Sequence, residues 1–304
     1  MTLNELRYIV AVANERSFGR AAQRCFVSQP ALSVAIQKLE EELGARLFER
    51  GKSKVAVTPV GERVVEQAQK VLEEAAQVKE IARAGRNQLA GALSLGVIFT
   101  VAPYLLPDLI PALHEFAPQM PLDLEENLTA HLEVALKSGR IDAAIIALPF
   151  APSGVVTEFL YEEPFQVVVP VRHRWANRKS IRPDELAAEH PILLNVGHCF
   201  RDQVLDACPE LNGAEAHVTR TSSLETVRNM VASGFGVSVL PRDALTPKYH
   251  SRRVVPVPFA RPAPSRRIAL ASRKSFPRPE AIAAVRAAVA TCRPSPARSP
   301  RSPD

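Results

Sequence analysis

The chain has 304 residues, of which 46% are apolar and 23% charged, and a net charge of +6. That length allows two domains with buried cores, and the composition is that of an ordinary globular protein. No apolar run is long enough to span a bilayer and no basic leader precedes an apolar core, so a cytoplasmic protein without membrane contact is expected. The four cysteines match no paired C-x-x-C zinc pattern; neither metal nor cofactor is expected, and any disulfide would be transient and regulatory.

Residues 1–58 read as three helices and a hairpin. Leu3, Leu6, Ile9 and Ala13 give the first helix an apolar stripe. Ser17 can cap a second, with Phe18, Ala21, Ala22 and Cys25 facing the core, which makes Cys25 a structural thiol. Ser28 opens a third helix with Pro30 in its first turn, and Gly44 ends it. Its buried face is Leu32, either Ala35 or Ile36, Leu39 and Leu43. Gln29, Ser33 and Gln37 recur every four residues on another face. That stripe is uncharged, short and rich in donors and acceptors, which suits base edges in a major groove as well as plain solvation. Residues 47–50 and 54–58 flank Gly51-Lys52-Ser53, giving a hairpin with basic residues Arg50 and Lys52 at its tip, placed to track phosphates.

Four linked motifs are Ser17-Phe18-Gly19-Arg20-Ala21-Ala22, Ser28-Gln29-Pro30-Ala31-Leu32-Ser33, Leu43-Gly44-Ala45-Arg46-Leu47-Phe48-Glu49-Arg50 and Thr58-Pro59-Val60-Gly61. Together they resemble the winged helix-turn-helix of LysR-type transcriptional regulators. The resemblance implies an α/β protein with this domain at its N-terminus, a long linker helix and a two-lobed, periplasmic-binding-protein-like (type II) effector domain. It further implies double-stranded operator DNA, RNA polymerase and further copies of the chain as partners, the last in a dimer of dimers. Gln29, Pro30, Ser33, Gln37, Arg50 and Lys52 are the expected DNA contacts.

Thr58 and Pro59 also suit the start of a fourth helix. Val64, Ala68, Val71, Ala75, Val78 and Ala82 follow at alternating steps of four and three, the 3.5-residue repeat of a coiled-coil seam. Residues 59–90 are therefore expected to be the linker, a dimerisation helix from 59 to about 86 of roughly 42 Å followed by a hinge at 87–91.

Residues 91–292 alternate strand and helix patterns. Strands are expected at 93–97, 122–128, 143–147, 165–170, 192–195, 217–219, 236–240 and 267–271, and helices at 103–116, 132–137, 222–232 and 279–289. Such alternation implies a parallel sheet with ligands at the C-terminal strand ends. Charge is uneven: net +3 over residues 1–90, −5 over 91–260 and +8 over 261–304. The Pro/Ser/Arg-rich residues 293–304 read as a solvated basic tail, and Cys292 beside it as incidental.

Two cysteines fall in one short run, Gly197-His198-Cys199-Phe200-Arg201-Asp202-Gln203-Val204-Leu205-Asp206-Ala207-Cys208. His198 and Arg201 supply cations near Cys199, which favours thiolate, whereas Cys208 has none adjacent. If the run is helical, nine steps hold the two cysteines roughly 13 Å apart along the axis. A disulfide needs Cα atoms within about 7 Å, so oxidation would require the segment to unwind. Residues 194–208 and 221–232 are similar to the hydrogen-peroxide-sensing OxyR branch of the family. The resemblance makes Cys199 the peroxidatic thiol and Cys208 the resolving one, reset by a dithiol reductant of glutaredoxin or thioredoxin type. It places Thr100 and Thr129 beside them. His198 and Arg201 are local candidates for the peroxide site, Arg266 a further one with Arg267 leaving the register open, and Asp202 would orient a neighbour. The implied function is control of antioxidant genes, as activator or repressor. The rivals are a regulator sensing a small metabolite in the cleft between the lobes and a thiol peroxidase; the second has no use for a winged helix.

Overall fold

The computed structural model describes residues 1–50, 55–83, 88–213, 219–249 and 251–293; Lys52, Asn87, His217, Val218 and the tail from 294 lie outside them. Helix α1 (Leu3–Glu15) opens in a reciprocal cap between Thr2 and Glu5. Ser17 and Ser28 cap α2 (Phe18–Arg24) and α3 (Gln29–Leu43), and α3 stops at Gly44 with φ +63°. Their apolar faces meet in a core of Leu6, Ile9, Val12, Ala21, Leu32, Ile36 and Leu39, with Cys25 half-buried against it. Ile36, not Ala35, fills the open position. Leu43 is exposed, contrary to expectation; Leu47 and Phe48 close that end of the core instead.

The wing consists of β1 (Phe48–Arg50) and β2 (Val55–Val57), paired antiparallel. Helix α4 (Pro59–Arg83) follows at once. The Thr58 hydroxyl accepts from Gly61 N–H and donates to the Arg46 carbonyl, tying helix to wing. A Cβ at Gly61 would lie 2.2 Å from the Leu47 carbonyl oxygen, so only glycine permits this junction. The first part of the 3.5-residue seam is used within the chain: Val64 and Ala68 pack on the winged-helix core. Val71 and Val78 further along are exposed, the latter by 66%.

The remaining elements are β3 (Leu93–Ile98), α5 (Ala102–Phe116), β4 (Leu122–Asn127), α6 (Thr129–Lys137), β5 (Ala143–Ala147), β6 (Val155–Pro170), β7 (Pro191–Leu194), α7 (Cys199–Ala207), β8 (Thr219–Thr221), α8 (Leu224–Ala232), β9 (Val237–Pro241), β10 (Val254–Pro258), β11 (Ser265–Arg273) and α9 (Pro279–Cys292). The strand order is β4-β3-β5-β11-β6-β9-β7-β8, with β10 also on β6. The expected parallel sheet is in fact mixed. β3 is parallel to β4 and β5, and β7 to β8 and β9, but β11 runs antiparallel to β5 and β6, and β6 antiparallel to β9 and β10. The 16-residue β6 is the reason. Its first half pairs with β11 in one lobe and its second half with β9 and β10 in the other, so one strand belongs to both lobes. Each lobe buries its own apolar core. Across the lobe boundary, Tyr104 on α5 donates to Glu225 on α8 at 2.9 Å.

Lobe one also holds the linker helix. Arg273, at the end of β11, contacts Glu73 of α4 at 2.7 Å, both side chains being buried, and donates to the Leu136 and Ile141 carbonyls. Arg278 binds the carbonyls of Gln88, Gly91 and Ala92, fixing the chain where it enters the first lobe.

Candidate functional site: a thiol between two lobes

The parallel strands β3, β4 and β7 end at one place, and there the backbone turns into the loops that carry the candidate residues. Gly197, with φ +101°, makes the turn after β7 and lets the chain pass Leu128; a Cβ there would lie 3.3 Å from the leucine side chain. Helix α7 then starts at Cys199. Ile98, Phe99, Thr100, Asn127, Leu128, Thr129, His198 and Cys199 enclose a small cavity. It is small, with room for about one water-sized molecule.

Polar atoms in this cavity differ sharply in how they are satisfied. The Thr100 hydroxyl accepts from Arg266 Nη1 at 2.8 Å, and its carbonyl accepts from Nη2 at 2.9 Å. Arg266 is fully buried, pairs with Glu163 at 2.6 Å and lies over the Phe200 ring at 4.9 Å. The open register is thereby closed: Arg266 points inward, and its neighbour Arg267 lies outward over Phe159. By contrast the buried Thr129 hydroxyl, at the first residue of α6, has no partner. An unpaired buried hydroxyl is destabilising. Thr129 lines the same cavity as Cys199.

Two expected roles are corrected. His198 was read as a cation, but its ring is buried beside Phe99, and burial lowers its pKa from the ordinary 6.5. At neutral pH it is an uncharged imidazole that can donate or accept one hydrogen bond. Arg201 does not line the Cys199 cavity; it borders the second-lobe core beside Phe200 and Val204. It contacts the Asp202 carboxylate at 3.3 Å, and Asp202 is itself exposed. The neighbour that Asp202 contacts lies outside the cavity.

Helix α7 sorts the two cysteines. Phe200, Val204 and Cys208 recur every four residues and are buried in the second-lobe core. Cys199, half-buried, packs against the first-lobe core. At about 100° per residue, nine steps turn through half a circle, so the two thiols face opposite sides of the helix as well as lying roughly 13 Å apart along it. Burial and the Glu210 carboxylate push the Cys208 thiol up to about 12. It stays protonated where it sits and cannot act as a nucleophile without leaving that site. The other two cysteines lie away from this site. Cys25 and Cys292 are half-buried, and burial raises the pKa of each. Among the described residues no group of three or more His, Cys, Asp or Glu side chains could hold a metal ion.

At the other end of the molecule, Gln29, Pro30 and Gln37 of α3 are exposed and Ser33 is half-exposed, leaving the expected DNA-reading face open. Arg50 ends β1. One residue beside the site is absent from the sequence reading: Glu163 gave no signal, since nothing local marks it as the counter-ion of Arg266.

Residues 3–62 match the model of the bacterial regulatory helix-turn-helix proteins of the LysR family, and residues 86–293 match the LysR substrate binding domain. The DNA-binding transcriptional dual regulator OxyR of Escherichia coli K12 is 42% identical over 277 residues, 91% of each chain. The chain belongs to the OxyR group of LysR-type transcriptional regulators. The structure of the full-length C199D variant of OxyR from Pseudomonas aeruginosa superposes with a TM-score of 0.84 at 51% identity, covering 99% of both chains. A cysteine variant of Corynebacterium glutamicum OxyR with hydrogen peroxide bound gives a TM-score of 0.64 at 34% identity, covering 95% of this chain and 91% of that one. Similarity to LysR-type regulators therefore spans winged helix, linker and both lobes, and the two-domain fold read from the sequence is the fold of this group.

Proposed function

We propose that this OxyR-group regulator senses hydrogen peroxide at Cys199, converts the oxidation into a Cys199–Cys208 disulfide and thereby changes how it binds operator DNA in the cytoplasm to control antioxidant genes. The observation that carries this is the pairing of a thiol with an unsatisfied buried hydroxyl, Thr129, in a cavity that admits only a very small solute. The Cys199 thiolate attacks one peroxide oxygen; the O–O bond breaks, the other oxygen leaves as hydroxide and takes up a proton to become water, and Cys199 becomes a sulfenic acid. Thr129, Thr100 and the neutral His198 are the groups that hold peroxide, with Arg266 fixing Thr100 in place. Cys208 then displaces the sulfenic oxygen as a second water, forming the disulfide. Because the thiols face opposite sides of α7, this second step unwinds the helix, and the state of one bond becomes a change of shape. A dithiol reductant returns the electrons.

The reaction is a stoichiometric switch and not turnover, in keeping with a chain that carries a winged helix and a seam of exposed valines for a second copy. The decisive experiment is thiol mapping by mass spectrometry after brief treatment with near-stoichiometric peroxide. A linked Cys199–Cys208 peptide, reversed by dithiol, is expected. Four free thiols, or scattered oxidation that includes Cys25 and Cys292, would refute the assignment.

A further inference from the structure

Disulfide formation as proposed above requires α7 to leave its helical state, so the contacts that hold the helix decide how readily the switch turns. Phe200 and Val204 anchor it to its own lobe; Phe200 meets Phe165 edge-on with ring centroids 5.1 Å apart. A third contact is of another kind. Gln203, on the Cys199 side of the helix and one turn along, reaches across the lobe boundary. Its Nε2 donates to the Leu148 carbonyl at 3.0 Å, and Leu148 packs against the first-lobe core. Its Oε1 is buried without a partner, so the amide makes this one bond and no other on its oxygen side.

We infer that Gln203 is a positioning residue for the switch: its side-chain amide latches α7 to the first lobe through the Leu148 carbonyl, and the latch opens on every passage from dithiol to disulfide. Gln203 lies inside the loop that the disulfide closes, four residues after Cys199 and five before Cys208. Bringing the two Cα atoms from roughly 13 Å to within about 7 Å moves that backbone, while Leu148 remains in the first-lobe sheet region. The bond therefore belongs to the dithiol state alone. Gln203 gives no atom to the chemistry: two thiols and one peroxide yield a disulfide and two waters with or without it. It changes the balance between the end states. One net hydrogen bond present only in the dithiol favours that form by about fivefold, which for a two-electron couple is about 20 mV.

The inference rests on the Cys199–Cys208 reading, and the experiment separates the two. Wild type, Gln203→Met and Gln203→Glu, all full-length, are equilibrated in graded dithiothreitol buffers, quenched and alkylated, and the disulfide fraction is read by mass spectrometry. Met removes the donor at similar length; Glu keeps the shape but presents only acceptors to the Leu148 carbonyl. Both equilibria should move toward the disulfide, Met by about fivefold and Glu by more. In a Cys208→Ser background the sulfenic acid at Cys199 should form from peroxide within twofold of its usual rate in the Met variant, a split between the two steps that general loosening of the fold does not produce. Met and Glu variants that titrate with wild type, or that move toward the dithiol, overturn the latch while leaving the switch intact. A wild type that forms no Cys199–Cys208 disulfide removes the switch itself.

Discussion

Thr100 and Thr129 have the same side chain, line the same cavity and stand in opposite energetic positions. The Thr100 hydroxyl is committed to Arg266. Replacing it with valine leaves one N–H of a fully buried guanidinium unpaired, which costs about 1–3 kcal/mol. The Thr129 hydroxyl bonds to nothing in the protein, so Thr129→Val removes no internal bond and should leave stability within about 0.5 kcal/mol or raise it. The order reverses for reactivity. On the reading proposed above, Thr129 is the hydroxyl free to donate to the peroxide oxygen that departs as hydroxide when Cys199 attacks the other, and its loss should slow sulfenic acid formation roughly tenfold to a hundredfold. Urea melts and stopped-flow oxidation of the two variants test both halves. A Thr129→Val protein oxidised at the wild-type rate would rule out its contact with peroxide. Neither role is legible in the sequence, where each threonine simply follows a strand. What separates them is Arg266, which is 166 residues from Thr100 and brought to it by β11.

Local elements are a different matter. Ser17, Ser28, Thr58 and Gly44 mark their helix ends in the sequence because capping is chemistry between residues three or four apart, and each is found where expected. The strands that define the topology are harder to read. β6 carries Pro164 and four glutamate or threonine side chains in its first ten residues, so its sixteen-residue span looks like a short strand beginning at Phe165. β10 contains Pro256 and Pro258, which an edge strand tolerates and a sequence reading takes for a loop. Lost with them was the antiparallel half of the sheet. The linker helix shows the third possibility, a pattern legible in full whose use is divided. Val64 and Ala68 serve the chain's own winged-helix core, and Val71 and Val78 remain exposed one heptad apart. If those two are the contact with a second copy, Val71→Asp combined with Val78→Asp should weaken dimerisation at least a hundredfold in sedimentation velocity. Monomer stability should change by no more than about 0.5 kcal/mol, because neither side chain is buried within the chain. A dimer of unchanged affinity would place the self-contact elsewhere.

At the scale of the whole molecule, the question is what makes winged helix, linker and lobes one body. The contact between linker and first lobe is small and charged. Glu73 meets Arg273 in a buried ion pair, with Ser275 donating to the same carboxylate. Beside it Gly139, at φ +70°, leaves room for Gln69; a Cβ there would lie 2.6 Å from the Gln69 amide nitrogen. The geometry of the pair is a close approach without an aligned hydrogen bond, since Arg273 Nε finds no acceptor at a bonding angle. Its worth therefore lies in charge. Asp142, at 3.8 Å, is the other carboxylate near the guanidinium. Removing one member of a buried pair strands the other, and Glu73→Ala should destabilise the linker contact by about 3 kcal/mol. Asp184→Ala, which breaks the exposed pair with Arg182, provides the comparison and should change stability by less than about 0.5 kcal/mol. Differential scanning calorimetry reads the consequence directly. With the strut intact, the winged helix and linker should melt together with the first lobe. Without Glu73 the endotherm should split, the winged-helix part melting first and the lobes keeping their own transition, because each lobe has a complete core of its own. A single unshifted endotherm in Glu73→Ala would mean that the Arg278 clasp on the 88–92 segment is sufficient to couple them.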